Sequence, residues 1–213
     1  QKKIKEIMLF LYANGVGTSK AVRIYKMYGD QAISLIRENP YRLAQDIYGI
    51  GFLTADQIAQ KKKKKKTSLL RAKAGIRHAL FEEVGNGHCA YPRAALLAQA
   101  AELLEIPLET IEIAAAEEIQ AQGLRIDTIC DEECLFIPSL HYYEKYIAER
   151  IAALSQGVPM WGGINAEAAI PWVEKKLGIQ LAENQKKAVA AAIQAKFMVI
   201  TGGPGVGKTT IVN

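Results

Sequence analysis

The feature that most constrains this chain is a glycine-rich run near its C-terminal end. Residues 202–209 read GGPGVGKT, which fits the phosphate-loop pattern G-x-x-x-x-G-K-[ST]. The apolar run at 197–201 comes just before it and predicts a buried strand. A strand followed by this loop predicts the opening of a nucleotide-binding α/β domain. A plain glycine turn between a strand and a helix is the alternative.

The residue types of the loop indicate its chemistry. Glycines let backbone N–H groups close around phosphate oxygens, and a following helix would offer its positive end. We expect Lys208 to reach the β- and γ-phosphates of ATP and Thr209 to supply a hydroxyl to Mg²⁺, so both are candidate catalytic residues. The other candidate nucleotide contacts in the loop are Gly203, Pro204, Gly205, Val206, Gly207 and Thr210.

In nucleotidases with such a loop, the acidic Mg²⁺ ligands and the water-positioning residues lie downstream of it. The chain is therefore expected to be the front of a larger nucleotide-driven protein and to be inactive by itself.

The net charge of +5 does not by itself indicate a nucleic-acid partner. Six of the 27 basic residues form one run of lysines at 61–66, and without that run 21 basic residues face 22 acidic ones. Any DNA contact must therefore rest on local motifs. The run is most simply a solvated linker, and a phosphate-contacting tether or an error of sequence assignment are the alternatives.

The expected compartment is the cytoplasm. No stretch of the sequence is long and apolar enough to span a bilayer, so no membrane partner is predicted. Three cysteines are an odd number for a disulfide framework, which fits a reducing environment. Cys130 and Cys134 bracket an acidic stretch and are predicted to lie in a hairpin rather than at a metal.

Two Gly-apolar-Gly turns organise residues 1–66. Each lies between two segments with helical apolar spacing, which predicts helix, tight turn, helix. In this pattern the turn bares backbone N–H groups at a helix start, a sequence-independent contact for a DNA phosphate. Thr18, Ser19 and Thr54 are predicted helix-start residues. The candidate DNA-binding residues are Gly15, Val16, Gly17, Gly49, Ile50 and Gly51.

Plain helix corners that only stabilise the fold are the alternative for both turns. At the second turn, Phe52 follows Gly51 directly and is expected to crowd a phosphate.

Residues 67–155 predict a winged-helix-like module of three helices and a β-hairpin. Apolar spacing places the helices around residues 69–80, 96–104 and 111–119, with Pro92 and Pro107 in first turns. Strands are predicted at 124–128 and 134–137, with acidic residues at the turn between them. Because an acidic wing repels a duplex, a scaffold role is favoured over reading DNA.

Residues 156–180 are predicted to be a connector, and residues 181–213 to start the motor. Trp161 and Trp172 are expected to pack in a core or between domains rather than to stack on bases.

Several motifs in this order resemble a helicase family. LAENQ at 181–185 and TGGPGVGKTT at 201–210 resemble the Q motif and motif I of superfamily 1 DNA helicases. Upstream, ENPYRLA at 38–44, GIGF at 49–52, AD at 55–56, GH at 87–88 and YP at 91–92 resemble the N-terminal region of RecD-like helicases of the RecD/TraA type. The lysine run departs from the family, which usually has a short apolar helix end there.

The resemblance implies a mainly α fold. A tandem helix-hairpin-helix module and the winged-helix-like module would lead into the truncated start of a RecA-like α/β domain. It also implies that Gln185 reads adenine and that the protein is a 5′-to-3′ ATP-driven helicase of DNA repair and recombination. Its partner would be single-stranded DNA or a junction of single- and double-stranded DNA. A passive DNA- or protein-docking module and another P-loop ATPase remain alternatives, and Gln185 argues against the latter.

Overall fold

The computed structural model describes residues 2–61 and 67–212, and they divide into two compact units, 1–142 and 143–213. The chain is mainly helical with one small sheet, as the sequence predicts. Among the described residues, no helix has both the length and the apolar content needed to cross a membrane.

The first helices confirm the predicted pair of helical hairpins. They are α1 (Lys2–Ala13), α2 (Thr18–Tyr28), α3 (Ala32–Glu38), α4 (Arg42–Asp46) and α5 (Phe52–Lys61), with a short 3-10 turn at Gly29–Gln31. Helix α2 begins directly after Gly17, and Thr54 lies inside α5, so neither Thr18 nor Thr54 caps a helix with its side chain. Of the lysine run predicted as a linker at 61–66, Lys61 ends α5, and residues 62–66 lie outside the described residues.

The next elements confirm three helices and a hairpin and add a strand that the sequence does not predict. In order they are α6 (Leu69–Gly85), β1 (Ala90–Pro92), α7 (Arg93–Leu104), α8 (Leu108–Gln120), β2 (Arg125–Ile129) and β3 (Glu132–Phe136). The strands pair antiparallel in the order β1-β3-β2. Strand β1 has three residues, too few to show alternation.

Local residue chemistry explains several ends of these elements. The Ser68 hydroxyl accepts a hydrogen bond from the Arg71 N–H and caps α6. Pro92 and Pro107 stand immediately before α7 and α8, one position earlier than predicted. Cys130 and Asp131 form the β2–β3 turn with φ of 49° and 65°, as a two-residue hairpin turn requires.

Two apolar cores meet at α5. Ile58 packs in the core formed with α1, α2 and α3, whereas Phe52 and Ala59 pack in the larger core under α6, α7 and α8. Helix α5 therefore packs against both the helical-hairpin region and the winged-helix-like region. Because of this shared helix, residues 2–61 and 67–142 form one compact unit.

A charged network joins the same two regions. The Tyr41 hydroxyl donates to Asp56 Oδ1 at 2.8 Å, and Arg71 Nε donates to the same oxygen at 2.9 Å. Arg71 Nη1 also donates to the Leu104 carbonyl oxygen at 2.7 Å. These bonds connect helix α5, through Asp56, to α6 and α7.

Helix α9 (Pro138–Ser155) leads into the second unit, which contains α10 (Ala166–Leu177), α11 (Glu183–Gln194) and a 3-10 turn at Thr209–Ile211. Helix α10 lies where the sequence predicts a connector. The Asn165 side chain caps it by accepting hydrogen bonds from the Glu167 and Ala168 N–H groups. Pro171 lies inside the helix, and a proline there argues against a helix when only the sequence is considered.

The strand predicted at 197–201 is wrong for this structure, because those residues have no regular secondary structure. A strand is held by hydrogen bonds to a neighbouring strand, and the described residues of the second unit contain no other strand.

Candidate nucleotide and DNA sites

The phosphate loop adopts a glycine-dependent conformation. Gly205 and Gly207 both have a φ of 79°, a left-handed backbone that other residues rarely adopt. Nothing lies within 4 Å of the Cβ position at Gly203 or Gly205, so backbone there is open to a ligand. Residues 201–206 are exposed. The loop thus has the open backbone that a phosphate cradle needs.

Lys208 folds back over this loop. Its ammonium donates hydrogen bonds to the carbonyl oxygens of Gly202 and Gly203, both at 2.7 Å. Phosphate oxygens carry a full negative charge and make stronger hydrogen bonds with an ammonium than neutral carbonyls do. The lysine is therefore already at the loop and can exchange its partners.

Thr209 is exposed and starts the 3-10 turn Thr209–Ile211, and the Thr210 N–H donates to the Gly207 carbonyl at 3.1 Å. The helix expected after the loop is therefore a single short turn in the described residues. The Thr209 hydroxyl suits a Mg²⁺ ion, which prefers oxygen ligands. Within residues 2–61 and 67–212, no group of three His, Cys, Asp or Glu side chains could hold a metal.

Gln185 contacts the loop from the start of α11. Its Oε1 accepts from the Ala182 N–H at 2.8 Å, and its Nε2 donates to the Val206 carbonyl oxygen at 3.1 Å. A Cβ at Gly207 would lie 2.6 Å from Nε2, and the positive φ of Gly207 also favours glycine at that position. The two sequence motifs that resemble helicase motifs are thus joined by one side chain.

The first Gly-apolar-Gly turn has an apolar centre and open flanks. Val16 is only 1% exposed, whereas Gly15 and Gly17 are exposed. Gly15 has a φ of 83°. Gly17 has a φ of −68°, nothing lies within 4 Å of its Cβ position, and its carbonyl accepts the first α2 hydrogen bond from Ala21.

The second turn repeats this geometry. Ile50 is 3% exposed, Gly49 has a φ of 85°, and Gly51 is exposed with open space at its Cβ position. The Gly51 carbonyl accepts from the Ala55 N–H at the start of α5. The sequence echo therefore corresponds to two turns of the same local structure.

Phe52 does not crowd the second turn, and that expectation is wrong. Its side chain is buried and its ring stacks between Tyr41 and His78, with ring centroids 5.9 and 5.1 Å away. The ring points into the larger core because it completes the apolar face of α5. The backbone of the turn stays open.

Each turn has a cation beside it: Arg23, which the sequence did not single out, and Lys61, the first residue of the lysine run. Arg23 Nη1 donates to the Tyr48 carbonyl at 2.7 Å and lies 3.2 Å from the Cβ position of Gly49. Lys61 Nζ lies 3.5 Å from the Cβ position of Gly15. Helix α2, which follows the first turn, thus supplies the cation at the second turn. Helix α5, which follows the second, supplies the cation at the first.

The other candidates stand apart from these sites. The β2–β3 turn is exposed and acidic at residues 131–133, and Arg93 Nη1 lies 3.5 Å from Glu133 Oε2. Trp161 donates its ring N–H to the Ile193 carbonyl at 2.7 Å, and Trp172 is 61% exposed with Lys176 Nζ 4.8 Å from its ring centroid. Trp172 is therefore not a core residue.

Comparisons with known proteins cover both ends of the chain. Residues 1–90 match the family described as the ATP-dependent RecD2 DNA helicase HHH domain, and residues 185–213 match an AAA domain. The ATP-dependent RecD2 DNA helicase of Deinococcus radiodurans is 25% identical over 216 residues, which cover 97% of this chain and 30% of that protein. The chain thus spans less than a third of this relative's length. Together, the two matched regions and this relative support the resemblance of this chain to an N-terminal fragment of a RecD-like helicase.

Proposed function

We propose that this chain is the N-terminal region of a 5′-to-3′ ATP-dependent DNA helicase that acts in the cytoplasm in DNA repair and recombination. In this proposal the two glycine turns bind DNA backbone, and residues 202–210 bind ATP with Mg²⁺. One observation carries the proposal: a chain with two turns of matching geometry also holds a phosphate loop tied to Gln185.

The turns suit a backbone ligand rather than a base. Gly17 and Gly51 leave open space directly before a helix start, where N–H groups are not used within the helix. Arg23 and Lys61 add positive charge beside the turns. Phosphate contacts of this kind position DNA without reading its sequence, as a translocating helicase requires.

Different residues would contact different parts of the nucleotide. Lys208 would move from the carbonyls of Gly202 and Gly203 to the β- and γ-phosphates, and Thr209 would hold Mg²⁺ through its hydroxyl. When bound, Mg²⁺ neutralises charge that develops on the phosphates. Gln185 would exchange its contact with Val206 for the adenine edge.

The DNA part of the proposal is tested with Gly17→Val. Because Gly17 has an ordinary φ and open space, valine is compatible with the fold, and its branched side chain covers the approach to the turn. Affinity should fall to a similar extent for oligonucleotides of different sequence. Gly163→Val, at another open glycine, is the matched control. Unchanged affinity in a Gly17→Val protein with a normal melting curve would assign the turn to structure alone.

The helicase part needs a protein that contains this chain together with a complete motor. Strand separation should require ATP and should proceed from a 5′ single-stranded tail but not from a 3′ tail. Equal activity on both tails would contradict the polarity, and separation without a nucleotide would contradict the ATP-driven mechanism.

A further inference from the structure

The most exposed large apolar side chain beside the second turn is Tyr48. It precedes Gly49 directly and is 93% exposed, so its ring contributes little to the stability of the fold. Its backbone is nevertheless fixed, because its carbonyl accepts from Arg23 and its neighbour Ile47 is buried. The ring is therefore held outward on an anchored stretch of chain.

The surface around this ring is positively charged. Tyr48 borders a shallow basin of about 290 Å³ lined also by Arg23, Lys26, Met27, Asp46 and Ile47. Helix α2 carries Lys20, Arg23 and Lys26 and no acidic residue. The one carboxylate of the basin, on Asp46, already accepts from the Tyr28 hydroxyl at 2.7 Å and lies 3.8 Å from Arg42 Nε.

We propose that Tyr48, with Arg23, Lys26 and the side chain of Met27, forms a base-stacking subsite for one unpaired nucleotide of single-stranded DNA. This inference rests on the proposed DNA contact at the second turn and names its ligand. An exposed ring next to cations fits an aromatic base with its anionic backbone, because every base has a face that stacks. A paired base is closed to this ring, since its faces are covered by neighbouring pairs.

The arrangement also gives Arg23 two tasks. Two of its five N–H groups are used, by the Tyr48 carbonyl at 2.7 Å and by the Ser19 hydroxyl at 3.2 Å. These bonds hold the guanidinium against the turn at Gly49 and leave its other N–H groups for a phosphate. Arg23 is thus a positioning residue for the turn, and it also supplies charge to the subsite.

The test compares a thymidine oligonucleotide with an abasic oligonucleotide of the same length, using fluorescence anisotropy on the whole chain. Wild type should bind the thymidine strand more tightly. Tyr48→Ala should lose about tenfold in affinity for that strand and nothing for the abasic one, as expected when one stacked base is lost. Tyr48→Phe should retain wild-type affinity. Phe81→Ala, at a 59% exposed aromatic residue of α6, is the matched control and should change neither affinity.

Each other outcome overturns the inference in a distinguishable way. If Tyr48→Ala keeps the preference for bases, or if wild type binds both strands equally, stacking at Tyr48 is wrong while the backbone contact stands. If wild type binds neither strand, the proposed DNA function fails as well. If Tyr48→Ala instead changes the oligomeric state in sedimentation and leaves both affinities unchanged, the basin is a contact between copies of this chain.

Discussion

Lys208 currently satisfies its charge with two neutral carbonyls of its own loop. In the proposed nucleotide complex, charged phosphate oxygens would replace these carbonyls, and the gain in hydrogen-bond strength would favour the bound loop. At the scale of single residues, the proposed exchange predicts that nucleotide affinity falls when Lys208 is removed.

Lys208→Ala should therefore weaken ATP binding by about 1.5–3 kcal/mol, the usual range for a hydrogen bond to a charged group. In a protein with a complete motor, it should abolish ATP hydrolysis. Titration with a fluorescent ATP analogue measures the first effect. Lys187→Ala, at an exposed lysine of α11, is the matched control. ATP affinity equal to that of wild type would show that the loop binds phosphate through backbone alone.

Gln185 offers one acceptor and one donor, and both are engaged with backbone groups of Ala182 and Val206. The same pair of groups matches the adenine edge, whereas guanine presents the opposite pattern. Gln185→Ala should reduce discrimination between ATP and GTP by roughly 1–3 kcal/mol. The ratio of the two dissociation constants measures it, and Gln194→Ala on the same helix is the control. If the mutant prefers ATP to the same degree as wild type, Gln185 only holds the loop in place and does not contact adenine.

At the scale of elements, helices α5 and α6 are held together through Asp56. Burial alone would raise the pKa of this carboxyl, but hydrogen bonds from Arg71 and Tyr41 and the Arg71 charge outweigh it and hold the pKa below its usual value. Burial also raises the pKa of the Tyr41 hydroxyl, helped by its hydrogen bond to Asp56, so this tyrosine stays a donor. The network therefore favours ionised Asp56 and neutral Tyr41.

This network predicts an acid-sensitive fold. A carboxyl whose folded pKa is lowered stabilises the protein above its unfolded pKa of about 3.9, and the stabilisation is lost as the pH falls through the folded pKa. Asp56→Asn should lower the free energy of unfolding at pH 7 by about 2 kcal/mol and flatten its fall toward low pH. Urea unfolding at neutral and acidic pH measures both, with Glu112→Gln at an exposed site as control. An equally steep acid dependence in both proteins would place the titrating group elsewhere.

Helices α6 and α7 depend on a glycine for their close approach. A Cβ at Gly75 would collide with the side chain of Leu104, which is only 2% exposed and has little room to move. Gly75→Val should destabilise the first unit by about 1–3 kcal/mol, the cost of overpacking a core. Gly85→Ala, in the last turn of the same helix with open space at its Cβ position, should be neutral or stabilising. Thermal melting compares the two, and equal melting temperatures would show that Leu104 repacks freely.

For the whole molecule, the sequence predicts those features that depend on neighbouring residues. The two turns were predictable because each needs a glycine with positive φ, Gly15 or Gly49, followed by a buried apolar residue, and this gives the Gly-apolar-Gly pattern. The helices of the first unit followed from apolar spacing for the same reason. The fold class is accordingly confirmed.

What the sequence could not supply depends on partners distant in the chain. Strand β1 exists because Ala90 and Pro92 pair with Phe136 and Cys134, and no local pattern contains that pairing. The apolar run at 197–201 has the composition of a strand but has no strand beside it in the described residues. The backbone at Tyr48 likewise depends on a distant partner, since its carbonyl accepts a hydrogen bond from Arg23. The contact between Gln185 and Val206 joins two separate motifs and was not predicted, because the resemblance implied only that Gln185 reads adenine.

The two proposed functions lie in different units, the glycine turns in residues 1–142 and the phosphate loop in residues 143–213. The described buried residues that pack around the turns belong to the first unit, and we expect a change at one site to leave the other intact. Gly17→Val should lower DNA affinity without altering ATP affinity. Lys208→Ala should lower ATP affinity without altering DNA affinity. Titrating each variant with both ligands measures this. Because coupling between two sites is reciprocal, an effect of either variant on both affinities would mean that the sites communicate, and ATP would then regulate DNA binding at the turns.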